Sequence, residues 1–160
     1  MKSSRTLTLH VQYAPILRAE ALPQRAQVRR WVKSTLTVLA RTHTVTPCEL
    51  TVRFCGAREG RELNRDFRQR DYATNVLTFP LNETSGPGVP VAADLVVCVP
   101  VVAKQARQQG KTFIAHCAHM IVHATLHAHG LDHERRAEAE VMENIEIVTL
   151  KRFHIANPYL

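Results

Sequence analysis

At 160 residues, 45% of them hydrophobic and 22% charged, the chain is long enough to bury a core without disulfide or metal staples and reads as one domain over 1–160. No uninterrupted apolar run approaches the roughly 18 residues that a membrane-spanning helix needs, so no membrane span is expected. The net charge is +7, with ten basic and two acidic side chains in 1–58 and six of the 14 acids in 132–146, an asymmetry that suits either a polyanion docking on one face or a solvated arginine-rich helix.

The N-terminal MKSSRTLTLHVQY lacks the apolar core of a signal peptide, and Cys48, Cys55, Cys98 and Cys117 form no C-x-x-C pair. A cytoplasmic protein with free, buried thiols is the expectation. RTLTLHVQY (5–13) alternates Leu7, Leu9, Val11 and Tyr13 on one face, the pattern of a half-buried strand. From Pro23 to Arg41, Val28, Trp31, Val32, Leu36 and Leu39 recur at helical steps. A second alternating strand follows Pro47, with Leu50, Val52 and Phe54. A short helix is predicted over Arg58–Phe67, then a polar loop and a strand at 75–79. Pro80–Pro90 reads as an exposed loop, and 93–99 as a strand covered on both faces. Three helices close the chain: Val101–Gln109, Phe113–His129 ended by Gly130, and Glu134–Arg152. The expected fold is α+β, a mixed sheet of about four strands packed with helices, whose strand order is not readable from these patterns.

Residues 123–133, HATLHAHGLDH, place His123, His127 and His133 at i, i+4 and i+10. On a helix the first two share a face. Gly130 suits the helix end, where a positive φ is wanted, so the chain can turn and return His133 to the same point. Chance would give this spacing about 3% of the time in a chain this rich in histidine. Three imidazoles with an open fourth position are the donor set of a catalytic zinc site, here one ion on a central helix and the turn after it; nickel, copper or iron would also accept these ligands. His119, one turn upstream, is a candidate fourth ligand or ligand-orienting group, with a packed core histidine preferred. His116 and His129 are assigned to the surface or to local hydrogen bonds. Asp132 either orients His133 or caps the following helix, with capping preferred.

The spacing is that of the metzincin proteases, H-E-x-x-H-x-x-G-x-x-H, but Ala124 stands where their glutamate base would be. An amide hydrolase loses its base by that change. Phosphodiester cleavage makes a different demand, because the charge to be stabilised lies on non-bridging oxygens that a metal ion and an arginine can clamp together.

Three stretches, RELNRDFRQRDYATNVLTFP, ADLVVCVPVVAKQARQQGK and AHMIVHATLHAHGLDHE, resemble in order the signatures of the YbeY family of bacterial ribosomal-RNA maturation endoribonucleases, over roughly 50–150. The resemblance implies a zinc site of His123, His127 and His133 and an important arginine at Arg68. It also implies cleavage of single-stranded RNA, a role in maturing the 3′ end of small-subunit ribosomal RNA and in ribosome quality control, and partners on the small ribosomal subunit. A guanidinium suits the arginine position because its planar fork can hold two phosphate oxygens. Thr74 and Asn75 are read as turn residues or cleft lining, and Lys104, Arg107 and Lys111 as an extension of the RNA surface. Ala124, Leu131 and Ala93 replace the family's usual glycine, aromatic and glycine, and the Ala124 methyl is expected to narrow the cleft beside the ion. Two rival readings are a metzincin-like metallopeptidase using another carboxylate, and a non-catalytic ribosome-assembly factor with a structural zinc.

Overall fold

A computed structural model describes residues 7–18, 21–82 and 88–160. The first strand, β1 (Leu7–Tyr13), is followed by α1 (Arg25–Leu39), β2 (Cys48–Cys55), α2 (Ala57–Arg68), β3 (Val76–Pro80) and β4 (Val91–Cys98). Three helices then follow one another, α3 (Val99–Gln108), α4 (Phe113–Ala128) and α5 (Arg136–Lys151). Residues 5 and 6 of the expected first strand, and 83–87 of the expected loop, lie outside the described residues. Helix α3 starts two residues earlier than predicted because Pro100 is tolerated in a first turn, where its missing N–H has no partner to lose.

The fold is α+β, a mixed four-stranded sheet in the order β1-β2-β4-β3. β1, β2 and β4 run parallel, and β3 joins β4 antiparallel as an edge strand. Period-2 alternation sorts each strand onto two faces. Leu50, Val52 and Phe54 of β2, with Ala93, Leu95 and Val97 of β4, enter the main core with α1, α4 and α5. Cys55, Val96 and Cys98 turn to the other face, where they cluster with Leu77 and Phe79 of the neighbouring β3 and pack against Leu63 of α2. Burial on both faces explains why β4 is a near-continuous apolar run. α2 lies close on that second face at Gly60, where a Cβ would stand 2.9 Å from Cys98 Sγ.

α4 is the central helix, touching α1, α3, α5, β3 and β4. Cys117, Ile121, Val122, Ala124 and Leu126 on it are fully buried, so truncating Leu126 to Ala would cost about 2–5 kcal/mol. Thr112 caps its start, accepting from the Ala115 N–H at 3.1 Å. Its end is a Schellman turn: Gly130 N–H donates to the His127 carbonyl at 2.9 Å and Leu131 N–H to that of Leu126 at 3.1 Å. Gly130 takes φ +88°, as its place after the helix requires. No helix among the described residues is long and apolar enough to cross a membrane.

Candidate metal centre

The Schellman turn aims the chain back over the last two turns of α4. One ligand atom from each of His123, His127 and His133 lies within 4.8 Å of the others. The ring centroids are 4.5 Å apart for His123 and His127, 5.1 Å for His127 and His133, and 5.6 Å for His123 and His133. Burial, followed by the neighbouring His123 and His133, lowers the pKa of His127 and favours the neutral imidazole that ligation needs. This donor set can hold a metal ion.

His119 does not join the three. Its side chain is only 12% exposed, and its Nε2 stands 3.4 Å from the Tyr159 hydroxyl and 3.6 Å from Glu146 Oε2, a packed interior position. His129 bonds locally through Nδ1 to the Thr125 carbonyl at 2.8 Å. His116 departs from the expectation of a surface or locally bonded residue. It is 2% exposed and its Nε2 lies 2.9 Å from Gln105 Oε1, because its side of α4 packs against α3; burial, then His119 and Lys111, push its pKa down to about 4. Asp132 Oδ1 accepts the His133 and Glu134 N–H groups at 2.6 and 3.3 Å, and stands 4.0 Å from His133 Nδ1. It therefore shapes the turn ahead of α5 without capping that helix, whose N-cap is Arg135, and is too far from the imidazole to orient it.

The histidines form one wall of a cleft of about 730 Å³. The opposite wall comes from the end of α2 and from β3: Arg68, Arg70, Tyr72, Asn75 and Thr78 line it. Arg68 is the last residue of α2, since Gln69 takes the left-handed conformation at φ 57° and stops the helix. Its Nη2 donates to the Thr78 carbonyl at 2.6 Å, and its guanidinium carbon sits 5.3 Å from the Phe79 ring centroid. Asn75 and Thr74 both line the cleft, and Asn75 Oδ1 also accepts the Val76 N–H at 2.7 Å. No carboxylate lines this cleft among the described residues. Lys104, Arg107 and Lys111 do not line it; α3 meets α4 near its start, where Gln105 Oε1 lies 2.9 Å from His116 Nε2.

The expected narrowing by Ala124 is not found. Its side chain is fully buried in the main core. One position after His123, it is rotated about 100° around the helix and so points away from the ligand face.

Sequence reasoning passed over Glu146. It is 0% exposed, and its Oε1 lies 2.6 Å from His123 Nδ1. Burial would raise its carboxyl, but His119, His123 and Tyr159 together more than offset that and hold it down to about 2. The signal was present in the pattern: Met142, Ile145, Glu146, Thr149 and Leu150 are the buried stripe of α5, and a glutamate at the centre of such a stripe needs a partner.

Comparison with known proteins agrees with this architecture. The solution structure of TM1509 from Thermotoga maritima superposes with a TM-score of 0.57 over 92% of each chain at 23% identity, a likeness of fold. Endoribonuclease YbeY of Bordetella parapertussis is 49% identical over 156 residues, 96% of either chain. That of Paraburkholderia phytofirmans is 47% identical over 99% of each. The Azoarcus protein of the same name is 48% identical over 143 residues, and there the match spans only 54% of the relative's length. The family model for endoribonuclease YbeY matches residues 18–154, and the chain belongs to the YbeY endoribonuclease family.

Proposed function

We propose that the protein is a zinc-dependent endoribonuclease specific for single strands, which binds one ion through His123, His127 and His133. Its setting would be the cytoplasm and the small ribosomal subunit with its assembly proteins, in maturation of the 3′ end of small-subunit ribosomal RNA and in ribosome quality control. The observation that carries the nuclease reading is the lining of the cleft: three histidines face two arginines with no carboxylate among them. A peptidase would need a general base there. A phosphodiester needs positive charge around its non-bridging oxygens.

A zinc ion in this site would supply Lewis acidity toward a phosphate oxygen and would lower the pKa of a bound water. The chain supplies the rest. Arg68 commits one of its N–H donors to Thr78, which leaves the others free for phosphate oxygens. That bond and the Phe79 ring hold the guanidinium in place before substrate arrives, so little orientation is lost on binding. Arg70 adds charge along the same wall. Tyr72, 52% exposed in the cleft, offers a face on which an unpaired base can stack. A duplex keeps its bases inside the helix and cannot use that face, which is the basis of the proposed strand preference.

The test is cleavage of a labelled single-stranded RNA beside its duplex, with and without chelator, using His127→Ala as control. Cutting of the single strand that vanishes in both controls supports the proposal. Absence of cutting by zinc-loaded protein refutes it and favours a ribosome-assembly factor.

A further inference from the structure

Glu146 lies in the interior between α4 and α5, with both of its oxygens engaged. Oε1 takes His123 Nδ1 at 2.6 Å, and Oε2 accepts the Tyr159 hydroxyl. We infer that Glu146, itself held by Tyr159, is a positioning residue that fixes the tautomer of His123 and aims its Nε2 at the metal position. The inference rests on the three histidines being a metal site.

The argument is one of donors and acceptors. An ionised carboxylate can only accept, so the proton on a neutral His123 ring must sit on Nδ1, and Nε2 is left with a free lone pair. Without that acceptor the ring could take either tautomer or rotate. Burying a lone carboxylate is expensive, so a fully buried one stays ionised only where its lone pairs are used. Here the second oxygen is anchored by Tyr159 from the segment that follows α5, whose ring also stands edge-on to His119 at 5.7 Å and 85°. The carboxylate is thus prevented from swinging off His123. Partners of this kind on metal-ligating histidines tune affinity through ligand orientation and basicity.

The bland alternative is that Glu146 merely staples α5 to α4. Zn2+ affinity of the full chain, measured by competition with a chromogenic chelator, separates the two when read beside the melting temperature of the metal-free protein. Glu146→Met fills a similar volume and removes the acceptor. It is expected to weaken Zn2+ binding about 10- to 100-fold while the metal-free protein melts no lower than the wild type. Tyr159→Phe, which keeps the ring, is expected to give a smaller loss. Glu140→Gln, the same loss of charge at an exposed site of α5, should leave affinity unchanged. Nitrogen-15 NMR of the metal-free protein should show His123 protonated at Nδ1 in the wild type and a mixture of tautomers in Glu146→Met. Equal Zn2+ affinity in wild type, Glu146→Met and Tyr159→Phe, with the same His123 tautomer throughout, would overturn the inference while leaving the metal site standing. A wild type that binds no Zn2+ would overturn both. Should Glu146→Met fail to fold, Tyr159→Phe and the wild-type tautomer decide the matter.

Discussion

Arg68 and Thr78 meet at 2.6 Å, guanidinium to carbonyl, across the gap between the last turn of α2 and the edge strand β3. The register places Thr78 with its carbonyl on the unpaired side of β3: Cys98 N–H donates to Asn75 and Leu81 N–H to Ala92, so alternate residues, Thr78 among them, turn their polar groups outward. Arg68 is therefore tied to a fixed part of the sheet with its remaining donors facing the histidines' cleft. Arg68→Ala is expected to lower the rate of RNA cleavage by about 10²–10³, the usual cost of one preorganised donor to a developing oxyanion. Arg68→Lys should restore only part of it, since an ammonium cannot hold Thr78 and two phosphate oxygens together. Single-turnover rates at saturating RNA are the measurement, and wild-type rates in both variants would remove Arg68 from the site.

Removing the metal should stop catalysis without unfolding the chain. The main core of Leu50, Val52, Phe54, Leu95, Ile121 and Leu126 is complete without the three histidines. Saturation at a hundred times Kd adds about 2.7 kcal/mol, so chelation should lower the melting temperature by roughly 5–10 °C. Loss of the cooperative transition itself would instead mark the ion as a structural element.

Acid should weaken the metal-free protein through His116. Its pKa lies near 4 in the folded state, below the ordinary histidine value, because it is buried. The unfolded chain therefore takes up its proton first as pH falls. Stability from this group is complete above about pH 6.5 and is lost between there and about pH 4, by on the order of 1 kcal/mol per pH unit. Denaturant midpoints across that window should show a shallower slope in His116→Gln than in the wild type. Parallel slopes would assign the acid sensitivity elsewhere.

Ala124→Gly tests the buried position next to His123. The methyl group belongs to the core, so glycine should leave Zn2+ binding and cleavage unchanged and destabilise the helix by about 1 kcal/mol. A faster enzyme would show that the methyl reaches the cleft after all.

Tyr72→Ala should weaken binding of single-stranded RNA to the chelated protein by about 1–3 kcal/mol, the range for one base stacked on an aromatic ring, with Tyr72→Phe close to wild type. Fluorescence anisotropy with a labelled oligonucleotide is sufficient. An abasic nucleotide opposite the ring should weaken the wild type and leave Tyr72→Ala unmoved.

The parts of this architecture that could be read from the sequence are those carried by short-range pattern. The i, i+4 spacing of His123 and His127 and the glycine at 130 describe one helix and its end, and α4 was bounded to within one residue. The alternation of Leu7, Leu9 and Val11 likewise marks β1 whatever it pairs with. Arg68 is marked out by resemblance alone, since Arg65 and Arg70 stand beside it in the sequence with equal claim. Strand order and the antiparallel direction of β3 depend on contacts between distant segments, which periodicity does not encode. Glu146 and Tyr159 escaped notice for the same reason, being 23 and 36 positions from the histidine they serve. His116 reads as a surface or locally bonded residue because nothing in the sequence shows that its helix is covered on every side, and the structure buries it against Gln105 of α3.

The three histidines all come from 11 consecutive residues, and backbone bonds within α4 and its closing turn bring them together. Closing so short a loop carries a small entropic cost and requires no strand to pair. A refolding chain is therefore expected to gain weak affinity for an ion early, during helix formation, and to reach full affinity only when α5 docks and delivers Glu146. Ion capture and native packing would then separate in time, with the tightening of the bound ion marking the last step of assembly.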